Sequence, residues 1–291
     1  AYTRLLPAVL EQKNGQLKES ERETRAFLAA VPADQRGLLL LSQLLHQQNR
    51  SEESIKLLSK ALKDKPKNRP LRLQYARFLA ANTPDKAIAQ FEILRADNPK
   101  DQEVNFLLAL MQLSDGNITA AEELLEQASA KPSLRSDAQY HLGVISEQKE
   151  DIAGAMSHYT QVRFGRNYVA AASRLSALLA KHRSMSQAQQ YLQRMRSSQP
   201  TQAVILFQVE SNLLLNAQKP SQALVVLSSG LDYFPNDPQL LYARSMVAEQ
   251  QDDFALAEQD LRAILAQDQN NATVLNALGY TMILHTNRRE E

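Results

Sequence analysis

The chain has 291 residues, more than one globular core usually holds, so it forms either two globular domains or an elongated array. Eight Gly and eleven Pro among abundant Ala, Leu, Gln, Glu, Lys and Arg exclude a strand-rich fold and predict all-α structure. Thirty-three Lys plus Arg against thirty-two Asp plus Glu give a net charge of +1, which excludes a global electrostatic drive toward nucleic acid or anionic membrane.

Zero Cys excludes disulfides, thiolate metal sites and a Cys nucleophile, and leaves the redox compartment open. No run of about eighteen apolar residues occurs and no charged-then-apolar leader opens the chain, so the expectation is a segment that neither spans nor inserts into a bilayer.

From the amino end, a small residue recurs at Ser20, Ser54, Ala87, Ala121, Ala155, Ala188, Ala223 and Ala257, at spacings of 34, 33, 34, 34, 33, 35 and 34. One helical turn later stands a large apolar residue, Leu58, Phe91, Leu125, Tyr159, Leu192, Leu227 or Leu261; Ser20, followed by Thr24, is the weak member. A small side chain lets two helices approach, and the bulky one beside it fills the adjoining space. Twelve residues before most of these positions lies another small residue, at Ala8, Ser42, Ala109, Gly143, Ser176, Ser211 and Ser245, and the series continues at Gly279. Prolines at Pro32, Pro66, Pro99, Pro132, Pro200 and Pro235 are expected to stop each second helix, while Asn167 and Gln269 hold the equivalent places in two units. Polar turns such as Asp115-Gly116-Asn117, Glu150-Asp151 and Asp252-Asp253 complete the pattern of a helix hairpin.

With its Leu-Gly, Ala-x3-aromatic and terminal-Pro positions at this period, the chain resembles the tetratricopeptide repeats along its whole length, although it has no Trp and so lacks their early aromatic. The pattern divides into eight complete units, 1–34, 35–67, 68–101, 102–135, 136–168, 169–203, 204–237 and 238–271, and the first helix of a ninth at 272–285. The expected architecture is one all-α solenoid, 1–291, in a chain that continues past Glu291. The resemblance implies a right-handed superhelix of antiparallel helix pairs whose first helices line a concave, partner-binding groove.

Helical offset from the small residue selects the side chains expected to face that groove. Near the amino end they are Arg36, Gln43, His46, Arg69 and Arg72, beside a Lys-rich second helix with Lys56, Lys60, Lys63, Lys65 and Lys67. An acidic partner segment suits this patch, and a solvated helix face explains the same charges. Further along come Phe106 and Tyr140, then Gln208, Asn212, Tyr242, Asn276 and Tyr280. Rings with amides suit peptide grip, and packing between helices explains the rings as well. The Lys-Asn-Arg clamp of chaperone-binding family members is not recognisable, since Gln43 and His46 stand where asparagines are wanted.

No catalytic, cofactor or metal site is expected. His46, His141, His158, His182 and His285 share no ligand spacing, and HExxH, Gly-rich phosphate-loop and Gly-x-Ser-x-Gly motifs are missing. Acid pairs such as Glu122-Glu123 and Asp252-Asp253 suit helix starts and turns. The basic stretch from Lys56 to Arg77 lacks the aromatic platform of a nucleic-acid surface.

The last helix, Val274-Leu275-Asn276-Ala277-Leu278-Gly279-Tyr280-Thr281, is similar to the repeat-rich outer-membrane lipoproteins of Gram-negative bacteria. That resemblance implies a periplasmic adaptor binding a carboxy-terminal processing protease and murein hydrolases, lipid-anchored through a cysteine upstream of Ala1. Two other readings stay open: a cytoplasmic assembly scaffold, and a repeat region accessory to a glycosyltransferase-type enzyme. Exposed end helices also invite self-association through the terminal repeats.

Overall fold

The computed structural model describes residues 2–285, and the second helix expected of a ninth unit falls on 286–291, outside the described residues. Among the described residues there are seventeen α-helices, one 3-10 turn and no strand. By contact density the chain divides into two compact units, one ending at Ile145 and the other beginning at Ser146.

The first unit contains α1 (Tyr2–Lys13), α2 (Leu17–Ala30), α3 (Gln35–Gln47), α4 (Ser51–Asp64), α5 (Arg69–Ala80), α6 (Pro84–Asp97), α7 (Gln102–Ser114) and α8 (Ile118–Ser129). Helix α9 (Pro132–Gln148) carries the boundary. The second unit contains α10 (Ile152–Thr160), α11 (Tyr168–His182), α12 (Met185–Ser198), α13 (Ala203–Asn216), α14 (Pro220–Tyr233), α15 (Pro238–Glu249), α16 (Phe254–Leu265) and α17 (Ala272–His285). Asp34, Asn68, Asp101 and Asp237 cap first helices by accepting from their opening amides, and Asp151, Ser184 and Asp253 do so for second helices. Such a cap is worth about 1 kcal/mol.

The periodic small residues sit at the helix crossings. Ser20, Ser54, Ala87, Ala121, Ala155, Ala188 and Ala223 are 0% exposed, and Ala257 is 1% exposed. Where serine replaces alanine, the hydroxyl is satisfied across the pair: Ser20 Oγ donates to the Ala8 carbonyl at 2.6 Å and Ser54 Oγ to the Ser42 carbonyl at 2.8 Å. The weak first member is therefore as dry as the rest, and Thr24 returns its own hydroxyl to the Ser20 carbonyl at 2.7 Å.

Two details differ from the sequence expectation. Pro132 starts α9 instead of stopping α8, because the missing amide of a first-turn proline is unneeded there. In the third pair, Ala76 takes the buried place beside Ala87, one residue later than the twelve-residue offset predicts, and Tyr75 stays half-buried.

The turn inside six pairs contains a residue in the left-handed region: Gly15, Asn49, Gly116, Glu150, Gln218 and Asp252, with φ from +56° to +82°. Each lies five residues before the small position. The pairs that end at Ala87 and Ala188 have no such residue, and these are the pairs preceded by the short spacings of 33.

Candidate partner-binding surfaces

In the first unit the selected first-helix residues fall on α3, α5, α7 and α9. Asp34, whose carboxylate accepts the Arg36 and Gly37 amides at 3.0 Å, also receives the Arg36 guanidinium at 3.4 Å. Burial opposes ionisation of Asp34, yet the Gly37 and Arg36 donors hold its carboxyl below the usual range. Arg69 Nε donates to Asp101 at 2.7 Å, and its Nη2 reaches Glu103 at 3.4 Å, which Arg77 also holds at 2.6 Å. Although burial works against the Arg69 charge, these carboxylates raise its pKa. Arg72 donates to Gln90 and to the Pro66 carbonyl at 2.6 Å. The cationic groove residues are thus engaged within the fold, with partners in the same or the preceding turn, on the paired helix of the same unit, or about one repeat away.

Gln43 is exposed on α3. His46 stacks on Phe78 with centroids 4.4 Å apart, and its Nδ1 lies 2.9 Å from Ser51 Oγ. Phe106 and Tyr140 are both half-buried and meet through His141, whose ring is 6.2 Å from Phe106 and 5.3 Å from Tyr140. The sequence places these two rings one repeat apart, and the bridging imidazole is a residue that its lack of metal spacing had set aside.

In the second unit Gln208 donates to the Gln239 carbonyl at 3.1 Å, and half-buried Tyr242 packs against the cluster around Leu241, Leu261 and Ile264. Asn212, Asn276 and Tyr280 are exposed, Tyr280 to 56%. Among the described residues no group of three or more His, Asp or Glu is placed to hold a metal.

A second surface, formed by the second helices α12 and α14 over the first helix α13, escaped the sequence reading. Between α12 and α14 lies a cleft of about 510 Å³ whose walls include Arg196, Phe207, Glu210, Val225, Val226 and Tyr233. Arg196 lies 4.2 Å over the Phe207 ring and pairs with buried Glu210 at 2.5 Å, while Phe207 stacks on Tyr233 at 6.3 Å. The signal was available: two residues after the small position the chain reads Arg22, Lys56, Ala89, Glu123, Ser157, Gln190, Val225 and Gln259, and Val225 alone is β-branched and apolar there.

The sequence profile of the tetratricopeptide repeat matches residues 8–69, 77–134, 112–168 and 209–272. A tetratricopeptide repeat-containing protein of Pseudomonas aeruginosa is 37% identical over 255 residues, 87% of this chain and 43% of that protein. The chain thus spans less than half the length of this relative. Among solved structures, PilW, a type IV pilus biogenesis factor, is 14% identical, with 68% of this chain and 93% of that one covered at a TM-score of 0.55. MamA is 17% identical, with 56% and 96% covered at a TM-score of 0.50. Such low identities show the fold alone. Together with the buried small residue in every helix pair and the profile's match to most of the sequence, they lead to one conclusion: this chain belongs to the tetratricopeptide repeat family.

Proposed function

We propose that this chain is a non-catalytic scaffold that holds a partner protein or peptide against its first helices. More narrowly, it works in the periplasm as the repeat region of an outer-membrane lipoprotein adaptor that brings cell-wall hydrolases to a carboxy-terminal processing protease. The observation that carries the scaffold reading is the run of exposed or half-buried amides and rings on first helices: Gln43, Asn212, Tyr242, Asn276 and Tyr280. A repeat array exposes a large surface for few core residues, and tyrosine offers contact area at low entropic cost while amides pair with a bound backbone. The adaptor reading is supported by the wording of α17 from Val274 to Thr281 and by the likeness to a longer bacterial repeat protein.

The test is capture from a Gram-negative envelope extract on the immobilised chain, beside a Gln43→Ala, Asn212→Ala, Asn276→Ala, Tyr280→Ala variant. The parent is expected to recover a processing protease with a murein hydrolase, and the variant to lose both. Equal recovery by the variant moves the contact off the first helices, and recovery of cytosolic chaperones alone overturns the adaptor reading.

A further inference from the structure

Helix α4 carries a row of three lysines. Lys56, Lys60 and Lys63 stand at i, i+4 and i+7, which puts three exposed ammonium groups on one face. Helix α2 has the same cationic spacing at Lys18, Arg22 and Arg25, but there Arg22 pairs with Glu19 and Glu23, and Arg25 with Glu21. The α4 lysines form no ion pair among the described residues; Glu53, one turn before Lys56, attracts it at longer range, but its carboxylate is held by Arg50 at 2.7 Å. Like charges one turn apart repel, and the acids one turn from Lys56 and Lys60, Glu52, Glu53 and Asp64, offset that repulsion within the helix, so the lysine row adds little to the helix's own stability.

The same lysines rim a concavity of about 600 Å³, with half-buried Tyr75 and Ile55 supplying apolar surface and Asp64 a single carboxylate at one side. Tyr75 stands there because of the register in the third pair. Ala76 and Ala87, both 0% exposed, share one core cluster, which leaves the ring at 75 to line the recess beside α4.

We propose that this face of α4 binds an acidic segment of a partner polypeptide, with carboxylates against Lys56, Lys60 and Lys63 and an apolar side chain against Tyr75 and Ile55. Lysines are flexible point charges that follow charge density without imposing a fixed bidentate geometry, which suits the irregular carboxylates of a peptide. A recess is the wrong shape for a flat bilayer, and one ring is too small a platform for stacked bases. Because α4 is a second helix, this surface and the first-helix surface stand or fall separately.

Anisotropy of a fluorescein-labelled peptide alternating Glu with Leu, titrated with the whole chain, tests the proposal. Binding is expected to weaken with salt, and Lys56→Gln, Lys60→Gln, Lys63→Gln together to lower affinity about tenfold or more. Lys100→Gln, Lys181→Gln, Lys219→Gln, which removes the same charge from other exposed sites, is expected to bind as the parent does. The α4 variant should melt close to the parent, since it removes lysine–lysine repulsion and acid–lysine attraction of similar size on an exposed face. Equal affinity of parent and α4 variant, equal affinity for a Gln–Leu peptide, or binding confined to phosphatidylglycerol vesicles would overturn it. Envelope capture by the first-helix variant is a separate readout, so failure of one proposal leaves the other measurable.

Discussion

At the crossing of each helix pair, a methyl or a bonded hydroxyl meets the same demand for a small, dry side chain. Ser54→Ala removes the 2.8 Å bond to the Ser42 carbonyl but leaves that oxygen its helical partner, so the loss should be about 0.5–1.5 kcal/mol. Ser54→Leu forces the helices apart and should cost more, about 1–3 kcal/mol. Urea midpoints that rank the two variants the other way round contradict close approach as the reason for the repeat. The turns give a test of opposite sign. Glu150 and Gln218 hold φ near +60° and +56°, where a side chain is strained by about 1–2 kcal/mol. Replacing either with Gly relieves that strain against a larger unfolded-state entropy, a net gain of about 0.5–1 kcal/mol in thermal unfolding. Gly116→Ala should lose about as much; its added Cβ meets no atom within 4 Å, so the penalty lies in the backbone alone.

Between elements, charged side chains on inward faces join neighbouring helices. Arg244 holds Asp260, 1% exposed, through bonds of 2.8 and 2.7 Å, and donates to Ser228 at 3.0 Å. Arg244→Met strands that carboxylate and should cost about 3–5 kcal/mol, whereas Arg244→Met with Asp260→Leu should recover most of it. A double variant as unstable as the single one would show that packing, not the buried charge, dominates. In the first unit, Glu21 takes bonds from Arg25, Gln48 and Arg50 that outweigh the opposing effect of burial and hold its carboxyl below the ordinary value of 4.5. A depressed carboxyl stabilises the fold fully above the unfolded value and loses that contribution as pH falls through the folded one. The melting temperatures of parent and Glu21→Gln should therefore differ near neutrality and converge on acidification; a constant gap would exclude the ion cluster as the cause. These networks were legible only in part. Arg244 and Glu210 each directly precede a first-helix small residue, Ser245 and Ser211, which marks a charge on an inward face. Arg69 was read as a groove cation because its acceptor, Asp101, lies 32 residues away in sequence and only the repeat period makes that position a neighbour.

Across the molecule, the period was legible because it records a packing constraint repeated at every crossing, and the free or engaged state of each side chain was not, because that depends on residues one repeat away. His46 with Phe78, Asn68 with Gln35 and Gln208 with Gln239 are all contacts of that kind. Within each unit, helices pack chiefly against the next element and the next but one, so stability should be held locally. Ala188→Leu overpacks a fully buried position on α12 and should lower the free energy of local opening there by about 1–3 kcal/mol. Amide exchange should then accelerate through α11, α12 and α13, which touch one another, while α3 to α6 keep the parental rates. Uniform acceleration along the whole chain would mean a single cooperative core, and nearest-neighbour stacking would no longer describe how this sequence holds its fold.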